Sequence, residues 1–198
     1  MNYPDKNFKG IVIIIYSCQK NVKKATLLYN FIKELSNDEI KIFIINGIED
    51  LKQEYKFEDK FLYLKCKDNY DNLFLKTHKL FGTIIDIFPN LYGVIKIDDD
   101  IFPNKICLNQ ILHFVKTNTM INYCGYLLSI KKQSYTSIHI NKCNEKKYKK
   151  PIILPICNYC SGPLYYLSNK AIKYFNFKDL NYFHEDIMVG HSFSNSSI

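Results

Sequence analysis

Two rhythms of hydrophobic and polar positions alternate along the chain. IVIIIY (11–16) is an unbroken apolar run, short and β-branched, which predicts a buried strand. IKIFII (40–45), FLYLK (61–65) and YGVIKI (92–97) predict three more. Between them the apolar spacing becomes helical. Ala25, Leu28, Ile32 and Leu35 share one side of a predicted helix over 21–35, with Asn21 as its cap. Leu73, Phe74, Thr77, Leu80, Phe81, Ile84, Ile85 and Phe88 define a second over 71–88, which Pro89 ends. A third is expected to start near Pro103, a residue tolerated in a first turn.

Strands and helices in alternation predict an α/β fold with a mostly parallel central sheet and helices on both faces. Past about residue 120 the rhythm changes. NYCGYLLSI (122–130) and YTSIHI (135–140) read as strands of a more mixed C-terminal half, and NKCNEKKYKK (141–150) as a solvated, lysine-rich loop. No repeat or flexible linker divides the sequence. Residues 1–198 are expected to form a single domain, whole or cut from a larger protein.

Composition narrows the partners. The net charge is +8 and every basic residue is lysine, so a basic surface able to attract anions is expected. The missing arginine removes the planar fork suited to bidentate phosphate and guanine contacts, which argues against nucleic acid. No apolar run approaches the ~20 residues that span a bilayer. No signal peptide or anchor is recognised, and a cytoplasmic location is expected. Seven scattered cysteines suit a reduced compartment, with Cys107 and Cys124 expected as buried thiols and Cys157–Cys160 too isolated for a zinc site.

The candidate chemistry begins at KIDDDIFPN (96–104), where Asp98, Asp99 and Asp100 follow a predicted strand. Crowded carboxylates repel one another unless a cation compensates them. Mg²⁺ and Mn²⁺ take one or two carboxylates and fill their other positions with water or substrate phosphates. Ligands in parallel sheets bind at the carboxyl ends of strands, where this triplet would lie. Two later segments add to it. Ser161-Gly162-Pro163 interrupts an aromatic run, either as an ordinary turn or as a close backbone approach to a ligand. Glu185 and Asp186 precede an apolar run, as acids do in a helix first turn.

Taken in order, these segments resemble the beta-1,3-galactosyltransferase and fringe-like branch of the GT-A glycosyltransferases. The resemblance rests on DNYDNLFLKT (68–77), KIDDDIFPN (96–104), YCSGPLYYLS (159–168) and EDIMVG (185–190). It departs from the family in lacking the arginine-rich segment after the first strand, where KNVKKATLLYNF (20–31) stands, and in lacking a membrane anchor and stem. Pro163 replaces a glycine frequent in the family, so acceptor preference does not transfer.

The resemblance implies a GT-A (Rossmann-like) domain and a metal-dependent, inverting glycosyltransferase. Its donor would be a nucleotide-sugar, usually a UDP-sugar, with Mn²⁺ (or Mg²⁺) on the diphosphate, and its acceptor a glycan or glycoprotein hydroxyl. Asp100 would bind the metal directly, and Asp98 and Asp99 through water or by contacting ribose and sugar hydroxyls. Asp186 would be the general base and Glu185 a positioning group. Tyr16 and Ser17 end the first strand, where GT-A folds bring the uracil. His191, after Gly190, is a candidate metal ligand, and His184 is an open position. Lys76 shares a helix face with Asn72, beside the donor phosphates or in solvent. The rival readings are a non-catalytic nucleotide-sugar-binding domain and a metal-dependent nucleotidyltransferase.

Overall fold

The computed structural model describes residues 5–175 and 184–194. Seven strands form one sheet: β1 (Ile11–Tyr16), β2 (Ile40–Gly47), β3 (Tyr55–Glu58), β4 (Phe61–Leu64), β5 (Gly93–Asp98), β6 (Tyr123–Ile130) and β9 (Cys157–Ser168). Their spatial order is β3-β4-β2-β1-β5-β9-β6. β4, β2, β1 and β5 run parallel; β3 and β9 are antiparallel to their neighbours. Two short strands, β7 (Ser134–Thr136) and β8 (Ile152–Leu154), pair separately. The result is the mixed α/β architecture expected of a GT-A (Rossmann-like) domain.

β1 sits at the centre because it is apolar on both faces. Val12, Ile14 and Tyr16 join one core with α2 (Leu73–Ile87), α4 (Asn169–Tyr174) and α5 (Glu185–Phe193). Ile11, Ile13 and Ile15 join the other with α1 (Val22–Ile32) and α3 (Lys105–Thr117). A strand buried on both sides must read as a continuous apolar run, as IVIIIY does. No helix among the described residues is long and apolar enough to cross a membrane.

Several expectations are corrected in detail. Asn21 holds the position before α1 but does not cap it; its amide nitrogen donates to Asp99. Pro103 lies outside α3, whose start Asn104 caps by accepting from the Ile106 amide. The strand expected over 135–140 ends at Thr136. Cys107 is exposed and Cys124 half-buried, while Cys143, Cys157 and Cys160 are the buried thiols of this half. The segment 141–150 is not freely solvated: Cys143 and Tyr148 are buried against Tyr70, Ile140 and Ile152.

The largest correction concerns Ser161-Gly162-Pro163, which makes no turn. β9 runs unbroken through it for 12 residues. Register with β6 slips there: Cys160 pairs with Leu127 and Tyr165 with Gly125, so residues 161–164 lie opposite Tyr126 alone. Such a bulge tolerates a proline and re-aims the backbone. The Gly162 peptide groups, freed from the ladder, turn toward the ends of β5 and α5.

Candidate functional site

Register places the chemistry. Tyr16 pairs with Asp98 across parallel β1 and β5, so both lie at the carboxyl end of the sheet. Antiparallel β9 pairs Leu164 with Ile97, which brings Gly162 just beyond the same end. α5 lies against β9 so closely that a Cβ on Gly190 would collide with Tyr159 and the Asn158 carbonyl. Its first turn therefore carries Glu185 and Asp186 onto this edge. A cleft of about 440 Å³ opens there, lined by Tyr16, Asp98, Asp100, Gly162, Glu185 and Asp186 among others.

The aspartate triplet is divided where β5 ends at Asp98 and the chain turns through Asp99 and Asp100. Asp98 and Asp100 line the cleft, whereas Asp99 is buried on the α1 side, accepting from Ser17 Oγ at 2.5 Å and Asn21 Nδ2 at 3.3 Å. Asp99 and Ser17 thus lock the ends of β5 and β1 together and do not line the cleft.

Lys96 is the organising residue that the sequence reading passed over, hidden in the apolar run YGVIKI. Its side chain is 2% exposed. The ammonium donates to the Gly162 carbonyl at 2.6 Å and to Glu185 Oε1 at 2.7 Å, and pairs with Asp98 Oδ1 at 2.5 Å. Three N–H donors meet three acceptors on three elements. Burial opposes its charge, but Glu185 and Asp98 outweigh that and hold its pKa above the usual lysine value. A lysine inside a predicted strand was the available signal.

The two acids of α5 have different surroundings. Glu185 is buried with both oxygens engaged, Oε1 by Lys96 and Oε2 by the Tyr165 hydroxyl at 3.0 Å. Asp186 accepts one backbone N–H on each oxygen, from Gly162 at 3.0 Å and from Ile187 at 2.8 Å. Each oxygen retains a lone pair, and burial raises the Asp186 pKa above the ordinary aspartate value. A side chain on Gly162 would crowd this carboxylate, its Cβ lying 3.3 Å from Asp186 Oδ2.

Other candidates fall elsewhere. Lys76 is buried, neither solvated nor in the cleft wall. It binds the Ser17 carbonyl and, at 2.6 Å, Asp68, and its ammonium lies 4.9 Å from the centre of the Tyr16 ring. Tyr16 is oriented through its hydroxyl, which donates to the Leu73 carbonyl at 2.8 Å and accepts from Thr77 at 3.0 Å. His191 is six residues along α5 from Glu185 and does not line the cleft. Tyr70, His139, Lys142 and His184 do line it.

Among the described residues no three His, Cys, Asp or Glu side chains form a ready-made metal cluster. The donors present nevertheless fit a hard divalent ion that relies on substrate phosphates. Asp98 commits only Oδ1 to Lys96, and Asp100 is exposed and unpaired among the described residues. Two carboxylates at the mouth of a cleft suit Mg²⁺ or Mn²⁺ better than a softer metal.

Comparison with known families gives one finding: a family model described as galactosyltransferase matches residues 42–198, from β2 through α5. No curated protein matches the chain.

Proposed function

From the premise that the chain belongs to the galactosyltransferase family and is a glycosyltransferase, we propose a metal-dependent, inverting enzyme. It would take its sugar from a nucleotide-sugar, a UDP-sugar by preference, and deliver it to a hydroxyl of a glycan or glycoprotein. One observation carries this reading: a single cleft presents Asp98 and Asp100 on one wall and Asp186 on another.

Asp98 and Asp100 would hold Mn²⁺ or Mg²⁺ against the donor diphosphate. The ion's contribution would be to neutralise charge on the departing diphosphate as a Lewis acid. Asp186 takes the proton from the acceptor hydroxyl. Its raised pKa suits that role, since a base works best with a pKa moved toward the working pH, and such a group gains typically ~10²–10⁴-fold. Glu185 is held by the buried Lys96 ammonium and the Tyr165 hydroxyl, which makes it a positioning group rather than the base. One such base opposite the leaving group fits single displacement with inversion, as the family resemblance also implies. Lys96 keeps the two walls in register by bridging Asp98 and Glu185.

The test is thermal shift of the full chain with UDP, GDP and ADP, each with and without Mn²⁺. UDP with Mn²⁺ should stabilise the fold, by about 2.7 kcal/mol at a hundredfold excess over its dissociation constant. Asp100→Ala should remove the metal-dependent part. An unchanged melting temperature with all three nucleotides would sink the donor reading.

A further inference from the structure

The segment that looked like a solvated lysine loop is built onto the cleft. Asp71, 1% exposed, accepts the Asn144 backbone N–H at 2.9 and 3.0 Å and that of Glu145 at 3.3 Å. Cys143 and Tyr148 are buried beneath it. His139 is held at a φ of 65°, the left-handed region that a non-glycine residue enters only when its surroundings enforce it. These constraints aim one turn, 140–142, at the cleft, which His139 and Lys142 both line. The Lys142 ammonium lies 5.3 Å from the centre of the Tyr70 ring, and Tyr70 immediately precedes the clamping Asp71.

Charge makes this placement significant. The cleft is lined by two lysines, and Lys96 has spent all three N–H donors on Gly162, Asp98 and Glu185. Lys142 makes no ion pair among the described residues. His139 and His184 are pushed by burial below the usual histidine pKa and stay neutral at pH 7. Among the described residues, Lys142 is therefore the one lysine lining the cleft without an ion-pair partner.

We propose that Lys142 is the diphosphate-binding cation of this cleft, holding the leaving phosphates of the donor. This rests on the nucleotide-sugar reading above. During transfer the bond from the anomeric carbon to the diphosphate oxygen breaks, and its electron pair stays on the diphosphate. The acceptor oxygen forms the new bond, and its proton passes to Asp186. Negative charge thus grows on the group that Lys142 contacts.

Calorimetry on the full chain with Mn²⁺ tests this, with inorganic pyrophosphate and UDP as separate probes. Lys142→Met should weaken both by about tenfold, the scale of one charge-assisted contact. Lys142→Arg should restore affinity to near wild type. Lys146→Met, an exposed lysine of the same segment that does not line the cleft, should change neither. Since Lys142 is exposed and unpaired, its variants should melt with the wild type. Equal binding by wild type and Lys142→Met, or equal losses in Lys142→Met and Lys146→Met, would overturn the assignment while leaving the donor reading intact. A wild type that binds neither probe removes both.

Discussion

Asp186 and Glu185 are neighbours in sequence with different physical situations, and their substitutions should separate. Asp186→Asn removes the basic carboxylate and one of two accepted backbone bonds, a cost of about 0.5–1.5 kcal/mol. Transfer should fall by roughly 10²-fold or more, with donor binding and melting temperature little changed. Glu185→Gln should act mainly on stability, because it weakens a buried ion pair with Lys96. Melting curves and transfer rates measured on both proteins decide the matter; near-normal transfer by Asp186→Asn would move the base elsewhere. At the same scale, burial and nearby His139 lower the His184 pKa to about 4. Between about pH 6.5 and 4 the unfolded chain therefore binds a proton that the folded one does not, so this group costs stability as pH falls. The wild type should lose about 1–3 kcal/mol more than His184→Gln across that window, allowing for partial exposure. Parallel acid titrations of unfolding free energy check it.

Two glycines in helices make opposite predictions for the elements that hold them. Gly190 is where α5 presses on β9, and a methyl group there would meet Tyr159 and the Asn158 carbonyl. Gly190→Ala should destabilise by about 1–3 kcal/mol or more, and by shifting α5 should also displace Asp186. Gly82 lies within α2 with nothing within 4 Å of where a Cβ would stand. Gly82→Ala should stabilise by about 0.5–1 kcal/mol, since alanine loses less backbone freedom on folding. Chemical denaturation of both variants tests the pair; a destabilised Gly82→Ala would mean that α2 is packed otherwise.

For the whole molecule, Lys96 joins the parallel half to the antiparallel half. It connects β5, the bulge of β9 and the first turn of α5 through one ammonium. Lys96→Met leaves Glu185 buried without its counter-charge and should cost about 3–5 kcal/mol. Lys96→Met with Glu185→Leu should regain part of that loss, because replacing both partners leaves no isolated buried charge. Failure of the double variant to recover stability would show that the Gly162 and Asp98 contacts dominate.

The sequence by itself determined the α/β architecture. Short unbroken apolar runs and period-3.6 patterns are local properties, and IVIIIY reads as a strand buried on both faces. Three of the four motifs likewise pointed to Asp98, Asp100, Gly162 and Asp186, and these four residues line one cleft. What the pattern could not convey was direction and partnership. Only the turn after β5 sent Asp99 to Ser17 and away from Asp98 and Asp100. Only the β9–β6 register turned Ser161-Gly162-Pro163 from a turn into a bulge. Lys76, Lys96 and Lys142 are the same residue type in one lysine-rich chain. Their fates as an internal clamp, a three-way bridge and an uncommitted cation were set by which carbonyls and carboxylates tertiary packing brought within about 3 Å, the reach of a hydrogen bond.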